Sequence, residues 1–432
     1  MKILYLDNFR GFESTFLSFE DVNFFVGENS TGKTSILKLI GIISSPGFWN
    51  YQFFNNNEIS FDSFNEIITI NSSKQFFDVG ILENSSDNIF SAIKLRFIEK
   101  NNSPQIKEIC LFNNDVNIQA TIEGDFLKYR FELSKTERIT EDIFKVWIKN
   151  SNLNDKHFFR SEIDFLGIKS ILFHLQSLVK DQVLKSSGES VLLKIGIPSF
   201  LSDFAWTAPV RPKPLKTYDS YNLTFTSEGI HTPYVLKEIL DENNDEFGVR
   251  HILTKFGLDS GLFDSIDINK LGDELKKNDP FEILITLNGK SLNITNVGYG
   301  ISQILPLLIE IIARPKDTWF AIQQPEIHLH PRAQAALGDF LFKSKTVDNQ
   351  KFIIETHSDY IIDRYRIRIN KAFSKSNCEI EDSKSQVVFF MRNEKGNILQ
   401  TIKINSDGSY ADEQPKEFRD FFIKEQFELI TI

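Results

Sequence analysis

The segment Gly27-Glu28-Asn29-Ser30-Thr31-Gly32-Lys33-Thr34 constrains this chain more than any other stretch. It has the spacing GxxxxGK[ST]. An apolar run, Val22–Val26, precedes it, and Ile36, Leu39, Ile40 and Ile43 then recur on one helical face. A buried strand running through such a loop into a helix gathers successive backbone N–H groups into an anion nest. The helix start adds partial positive charge to that nest. The glycines let the backbone approach phosphate oxygens, Lys33 reaches the β- and γ-phosphates, and Thr34 offers a hydroxyl to Mg²⁺. Residues Gly27, Glu28, Asn29, Ser30, Thr31, Gly32, Lys33, Thr34 and Ser35 are therefore the expected cradle for ATP.

Composition narrows the remainder. A length of 432 residues allows two or three domains. Apolar residues at 41% and charged residues at 25% are ordinary for a folded chain and exclude disorder throughout. A net charge of −10 argues against coating nucleic acid by bulk charge, though not against a local basic groove. Cys110 and Cys378 lie far apart without a CxxC, so neither a disulfide scaffold nor a cysteine zinc site is expected. The start MKILYLDNFRGF lacks the apolar core of a signal peptide. The run Ile304–Ile312 is too short to span a bilayer and contains Glu310. A cytoplasmic protein without membrane contact is expected. The 41 phenylalanines, against 2 methionines, are spread along the whole chain and read as compositional bias.

The pattern changes along the chain. Ile3–Asp7, Phe16–Phe19 and Val22–Val26 read as strands. Between Ile59 and Leu133, short segments such as Phe77–Leu82, Ala92–Phe97, Ile106–Phe112 and Tyr129–Leu133 alternate with polar turns, which predicts an antiparallel meander. From Thr140 to Leu193 the spacing turns helical, with Ile163, Phe165, Ile168, Ile171 and Leu172 prominent. Phe200–Trp206 reads as a strand before the Pro-rich turn Ala208–Pro214. Strands are expected again at Phe281–Leu287, Trp319–Ile322 and Phe352–Glu355, with a helix over Arg332–Phe342. A hairpin is expected from Val387–Met391 and Ile398–Ile404, turning at Lys395-Gly396-Asn397. The resulting division is 1–135, a phosphate-loop lobe with antiparallel strands; 136–200, a helical insertion; 201–290, a mixed connection; and 291–432, a second lobe.

A phosphate loop needs a second strand whose end faces the nucleotide. Trp319–Ile322, followed by Gln323-Gln324-Pro325-Glu326-Ile327-His328-Leu329-His330-Pro331, is the candidate. With this segment the chain resembles the ABC/SMC-like AAA ATPases, the group that includes the overcoming-lysogenization-defect proteins and many antiphage-defence ATPases. NFRGF at Asn8–Phe12 is similar to that family's opening strand, VGENSTGKTS to its phosphate loop, and GYGISQILPLL at Gly298–Leu308 to its signature helix. IIETHSDYI at Ile353–Ile361 is similar to its switch-histidine strand, and FFMRNEKGNILQTIKI to a C-terminal hairpin of one subgroup. The likeness covers about half the chain. It implies an α/β P-loop NTPase, an ABC-type head with two lobes, an antiparallel β subdomain and a helical insertion. Gly298, Gly300 and Ser302 would then face the γ-phosphate held by a second protomer, and His357 would meet the γ-phosphate and the attacking water.

The family's acidic pair is absent. The positions for a Mg²⁺-ordering acid and a catalytic base hold Gln323 and Gln324, and an amide neither charges the metal shell nor takes a proton from water. Glu326 is the acid that remains nearby. Three readings stay open: slow hydrolysis with ATP as a dimerising switch, Glu326 as the base, or an engineered Glu→Gln exchange that traps ATP. Arg211, on the turn after Phe200–Trp206, points to the nucleotide or a dimer interface by resemblance, or is a surface arginine. His328 and His330 belong to a Leu-His-Pro loop rather than a metal pair. Arg364, Arg368 and Lys371 share a helical face beside Arg366, either solvated or able to meet DNA or RNA phosphate. Only about 75 residues follow His357, too few for a usual nuclease domain. The expectation is an ATP-binding, weakly hydrolysing homodimer or higher homo-oligomer. By resemblance it would be a defence ATPase of the Septu or PARIS kind, controlling a separately encoded nuclease or other effector. The alternatives are a hydrolysis-deficient ATP-binding scaffold and an SMC-type DNA-repair ATPase.

Overall fold

A computed structural model describes residues 1–56, 58–61, 63–84, 90–134, 139–151, 158–164, 167–187, 200–201, 203–219, 221–241, 248–272, 279–374, 383–394, 396–411, 414–418 and 420–421. The chain begins β1 (Lys2–Asp7), β2 (Thr15–Phe19), β3 (Val22–Gly27), α1 (Lys33–Ile43), α2 (Pro46–Tyr51) and α3 (Phe64–Ile67). Next come β4 (Phe76–Asn84), β5 (Phe90–Lys100), β6 (Ser103–Asn113), β7 (Val116–Glu123), β8 (Phe126–Leu133), α4 (Glu141–Asn150), β9 (Phe159–Glu162) and α5 (Ile168–Ser187). These are followed by β10 (Phe204–Thr207), α6 (Thr232–Asp241), α7 (Val249–Ser260), β11 (Ser265–Lys270), β12 (Phe281–Leu287) and β13 (Lys290–Asn293). The last are α8 (Tyr299–Ala313), β14 (Trp319–Gln323), α9 (Pro331–Asp348), β15 (Lys351–Glu355), α10 (Asp359–Phe373), β16 (Ser385–Asn393) and β17 (Gly396–Ile404). This is an α/β fold with antiparallel and parallel sheets, as the sequence predicts. It divides into two compact units: Met1–Glu20, Glu28–Ser202 and Phe390–Leu399 form one, and Asp21–Gly27, Asp203–Phe389 and Gln400–Ile432 the other.

In the first unit one sheet runs β2-β1-β4-β5-β6-β7-β8-β9, every neighbour antiparallel. The meander expected from polar punctuation is β4 to β8. Helix α4 lies on this sheet because Phe144, Trp147 and Ile148 recur at helical spacing and pack on Ile3, Tyr5, Cys110 and Phe112. Thr140 starts that helix, its Oγ1 accepting from the N–H of Ile143 at 3.3 Å. Two sequence expectations need correction here. Residues 159–162 form β9 on the sheet edge, so Ile163 follows a strand rather than lying in a helix. Some phenylalanines are also grouped rather than merely scattered. Phe54, Phe77 and Phe97 meet at 5.0–5.7 Å between ring centres, with Phe48 and Phe64 around them. Phe165, Leu193, Cys378 and Lys395 lie outside the described residues.

A second sheet runs β10-β14-β15-β3-β16-β17, with β10, β14, β15 and β3 parallel. Every residue of β14 and of β3 is buried, the continuous apolar signature of a sheet covered on both faces. The strand expected over Phe200–Trp206 is narrower and shifted, β10 spanning Phe204–Thr207. A smaller sheet runs β11-β12-β13. Helix α9 makes the crossover between β14 and β15 and packs on α10. Gly338 permits that contact, since a Cβ there would stand 2.5 Å from the carbonyl oxygen of Ile361. The Arg368 guanidinium then grips both carboxylate oxygens of Asp339 at 2.6 Å, and Arg364 lies 3.9 Å from the same acid. The basic face of α10 is thus largely engaged in holding α9. Gly338→Val is expected to cost about 3 kcal/mol by overpacking against backbone. Gly298→Ala, where a Cβ meets nothing within 4 Å, should leave the denaturation midpoint nearly unchanged. Equal midpoints for the two variants in urea melts would remove this account of the helix contact. Among the described residues, no helix is long and apolar enough to cross a membrane.

Candidate nucleotide site

The phosphate loop is shaped locally. Gly27, Ser30 and Gly32 take positive φ of 139°, 62° and 93°. The N–H of Ile36 returns to the Gly32 carbonyl at 3.0 Å and closes the first turn of α1. Gly32 caps this helix without a side-chain hydrogen bond, and its first turn carries no acidic residue. A helix start without an acidic side chain keeps its partial positive charge and favours an anion. Thr31 Oγ1 donates to the Glu28 carbonyl at 2.8 Å, and Lys33 Nζ donates to the same oxygen at 2.6 Å. Lys33 is buried while Glu28, Asn29 and Ser30 are exposed, so the amine is drawn into the loop it serves. Thr34 and Ser35, in the first turn, are half-buried. This donor set fits a polyphosphate.

The loop is braced from below. A Cβ on Gly32 would sit 2.5 Å from the Phe12 ring, and Phe12 is itself fully buried. Asn397 donates its side-chain amide to the Arg10 carbonyl at 2.9 Å and its backbone N–H to the Gly11 carbonyl at 2.7 Å. The NFRGF segment and the C-terminal hairpin thus support the loop together. Gly396, with φ 133° and the Gly11 oxygen 2.3 Å from any Cβ, admits no larger residue.

In the other unit, the carboxyl edge of the parallel strands carries a second set of candidate residues. Gln323 ends β14 opposite Glu355 on β15, and Glu355 stands opposite Phe25 on β3, two residues before Gly27. Gln323 Nε2 donates to Glu355 Oε2 at 3.0 Å, with both residues buried. Gln324 turns the chain sharply with φ 42°, its N–H donating to the Glu355 carbonyl at 2.8 Å. Such a left-handed non-glycine residue costs of order 1 kcal/mol and concentrates at functional turns. Glu326 is engaged at both oxygens: Oε1 accepts the His357 N–H and Oε2 the Thr356 hydroxyl, each at 2.8 Å. It sets the turn that presents His357. Ser358 caps α10, accepting from the Ile361 N–H at 3.2 Å.

Arg211 is not a surface arginine. It is 2% exposed, and among the described residues its Nε and Nη2 find no hydrogen-bond partner. Burial pushes its pKa down to about 10, with the Glu326 carboxylate pulling the other way. Thr207, ending β10, also has a buried hydroxyl without a partner among the described residues. Burial of a guanidinium with unpaired N–H groups is costly and marks a place for an anion.

At the start of α8, Gly298 and Tyr299 are exposed and no side chain caps the helix. Gly300 packs so closely that its Cβ would lie 2.8 Å from the His328 carbonyl oxygen, and the Tyr299 ring meets that of His328 at 4.8 Å. Ser302 is buried and donates to the Tyr299 carbonyl at 2.8 Å, so its hydroxyl serves its own helix. His330 is exposed, and among the described residues no cluster of His, Cys, Asp and Glu could hold a metal ion by itself. Sequence reasoning overlooked Glu355 and Thr207. The available signal for Glu355 was an acid ending an apolar strand immediately before Thr-His-Ser.

A strand–loop–helix phosphate cradle on a parallel sheet defines a P-loop nucleotide-binding protein. The chain belongs to the family of the AAA ATPase domain, whose sequence model matches residues 1–362. A comparison with curated proteins finds no match. Among solved structures the chain is similar to an Smc head bound to the C-terminal winged-helix domain of ScpA, at 10% identity and TM-score 0.45, covering 93% of this chain and 98% of that one. It is also similar to the SMC head domain from Thermotoga maritima, at 10% identity and TM-score 0.41, with the same coverage of 93% and 98%. The recombination mediator RecF with ATP is similar at 14% identity and TM-score 0.33, covering 92% and 96%. The family assignment rests on the sequence match.

Proposed function

We propose that this chain binds Mg²⁺–ATP, closes on it with a second copy, and hydrolyses it slowly, so that nucleotide acts as a dimerising switch. The observation that carries this reading is the phosphate loop, an uncapped helix start with a buried lysine folded into the nest. Gly27 to Ser35 hold the phosphates, Lys33 neutralises them, and Thr34 faces the metal. Bound Mg²⁺ would screen the phosphate charge. Gln323 and Gln324 bring no negative charge to the edge, which favours slow turnover and leaves a non-hydrolysing scaffold as the second reading. His357, fixed by Glu326, and Arg211, buried with unpaired N–H groups, are proposed for the terminal phosphate. The start of α8, Gly298 to Gly300, is proposed for the nucleotide of the partner protomer, with Ser302 shaping that helix from inside. Control of a separate nuclease or other effector in antiphage defence is part of the proposal and is supported by the motif resemblance alone. An SMC-type DNA-repair role is its alternative.

Sedimentation velocity of the purified chain tests the switch. A monomer with ADP and a dimer with Mg²⁺–ATP are expected. One sedimentation coefficient under both conditions would leave no switch.

A further inference from the structure

We propose that the rings of Tyr51 and Phe53, with the cleft beside them, form a stacking platform for single-stranded nucleic acid. The ATP reading is not needed for it, and every residue involved lies in the first unit. The segment Phe48-Trp49-Asn50-Tyr51-Gln52-Phe53-Phe54 is dense in aromatic rings. The turn that ends α2 sorts them. Gln52 takes φ 60°, and its N–H returns to the Phe48 carbonyl at 2.9 Å. Phe48, Trp49 and Phe54 are buried, whereas Tyr51 is 67% and Phe53 56% exposed. The Gln52 side chain holds the turn, accepting the Ile106 N–H at 2.9 Å. The two outer rings stack on each other, with centres 5.3 Å apart and planes at 27°. Stacking a further flat ring on them removes apolar surface from water.

The chemistry of the cleft selects the partner. Its other wall is the hairpin turn between β5 and β6, where Asn101 takes φ 53°. Its volume of 690 Å³ lies within the range of about 300–1,000 Å³ usual for ligand sites. Among the described residues, no aspartate or glutamate lines it, although the chain carries a net charge of −10. Lys100 is exposed on that wall and forms no ion pair among the described residues. The side-chain amides of Asn101 and Gln105 make no hydrogen bond there either. A cation meets a phosphate, free amides meet the edges of unpaired bases, and the two rings take a base face. Duplex bases are already stacked and paired, so the platform suits a single strand. A proline-rich peptide also favours aromatic grooves, but it brings no negative charge to Lys100. The basic face of α10, which the sequence offered for DNA or RNA, is instead largely engaged with Asp339.

The test is fluorescence anisotropy of the full chain with a labelled oligothymidylate of about twelve nucleotides, a length within the usual site sizes. Saturable binding at low salt is expected. Tyr51→Ala combined with Phe53→Ala should weaken it at least about tenfold, as one lost stacking contact allows. Tyr51→Phe keeps the ring and should bind nearly as the wild type does. Lys100→Ala should weaken binding and flatten its salt dependence, the log–log slope falling by about 0.7 for one phosphate contact. A duplex of the same length should compete poorly. The double variant should keep the wild-type urea midpoint and ATP affinity, because both rings lie outside the core. If it does not fold, Tyr51→Ala alone reads the same loss. A wild type that shows no saturable binding overturns the proposal. So does a folded ring variant that binds undiminished, or a duplex that competes as well as the strand. A proline-rich peptide that binds the rings in the strand's place overturns it too.

Discussion

Lys33→Ala is expected to weaken ATP binding about 100-fold, the equivalent of about 3 kcal/mol for a charge-assisted contact. The structure explains why the loss should fall on binding rather than folding. Lys33 Nζ donates to the carbonyl of Glu28 within its own loop, and the loop is also braced by Phe12 and Asn397, which the substitution leaves in place. The variant should therefore melt close to the wild type while its calorimetric titration with ATP goes flat. A variant that keeps its affinity would remove the phosphate-loop assignment, and a variant that unfolds would place Lys33 in the scaffold.

Glu326→Ala should have the largest effect on stability. Its carboxylate accepts from the Thr356 hydroxyl and the His357 N–H, and it is the acid acting on the buried Arg211. Removing it strands two donors and a guanidinium that is 2% exposed. Leaving those donors without their acceptor costs about 3 kcal/mol. The sign can be checked by a second change. Arg211→Leu in the Glu326→Ala background removes the stranded charge, so the double variant should denature at higher urea than Glu326→Ala alone. A double variant less stable than the single one would show that Glu326 acts only through the loop. If Glu326 instead serves as a base, Glu326→Gln lowers turnover without this loss of stability.

What was legible in the sequence is what is local in space. A strand, a glycine-bearing loop and a helix follow each other over residues 22–43, and the structure forms them there as β3, the loop and α1. The apolar runs of β14 and β15 were legible because both faces of the sheet are covered and no polar alternation interrupts them. The burial of Arg211 and the partner of Glu355 were not. Arg211 lies in a Pro-bearing turn, which reads as surface. The strand before that turn, β10, pairs with β14, more than a hundred residues later. Glu355 gained its partner through a strand register, and pairing registers between distant segments are invisible to periodicity. β9 was missed and β10 shifted for a related reason, since a four-residue strand is defined by the neighbour it meets.

The brace beneath the phosphate loop also sets an order of events during synthesis. Phe12 and Gly32 leave the ribosome hundreds of residues before Asn397 and Gly396, which lock the turn at Gly11. The same holds for β3, whose neighbours in the sheet, β15 and β16, follow it at a comparable distance along the chain. A nascent chain therefore carries the phosphate-loop sequence through a long stretch of synthesis without the scaffold that shapes it. A product cut short before Gly396 would keep the motif and lose its brace.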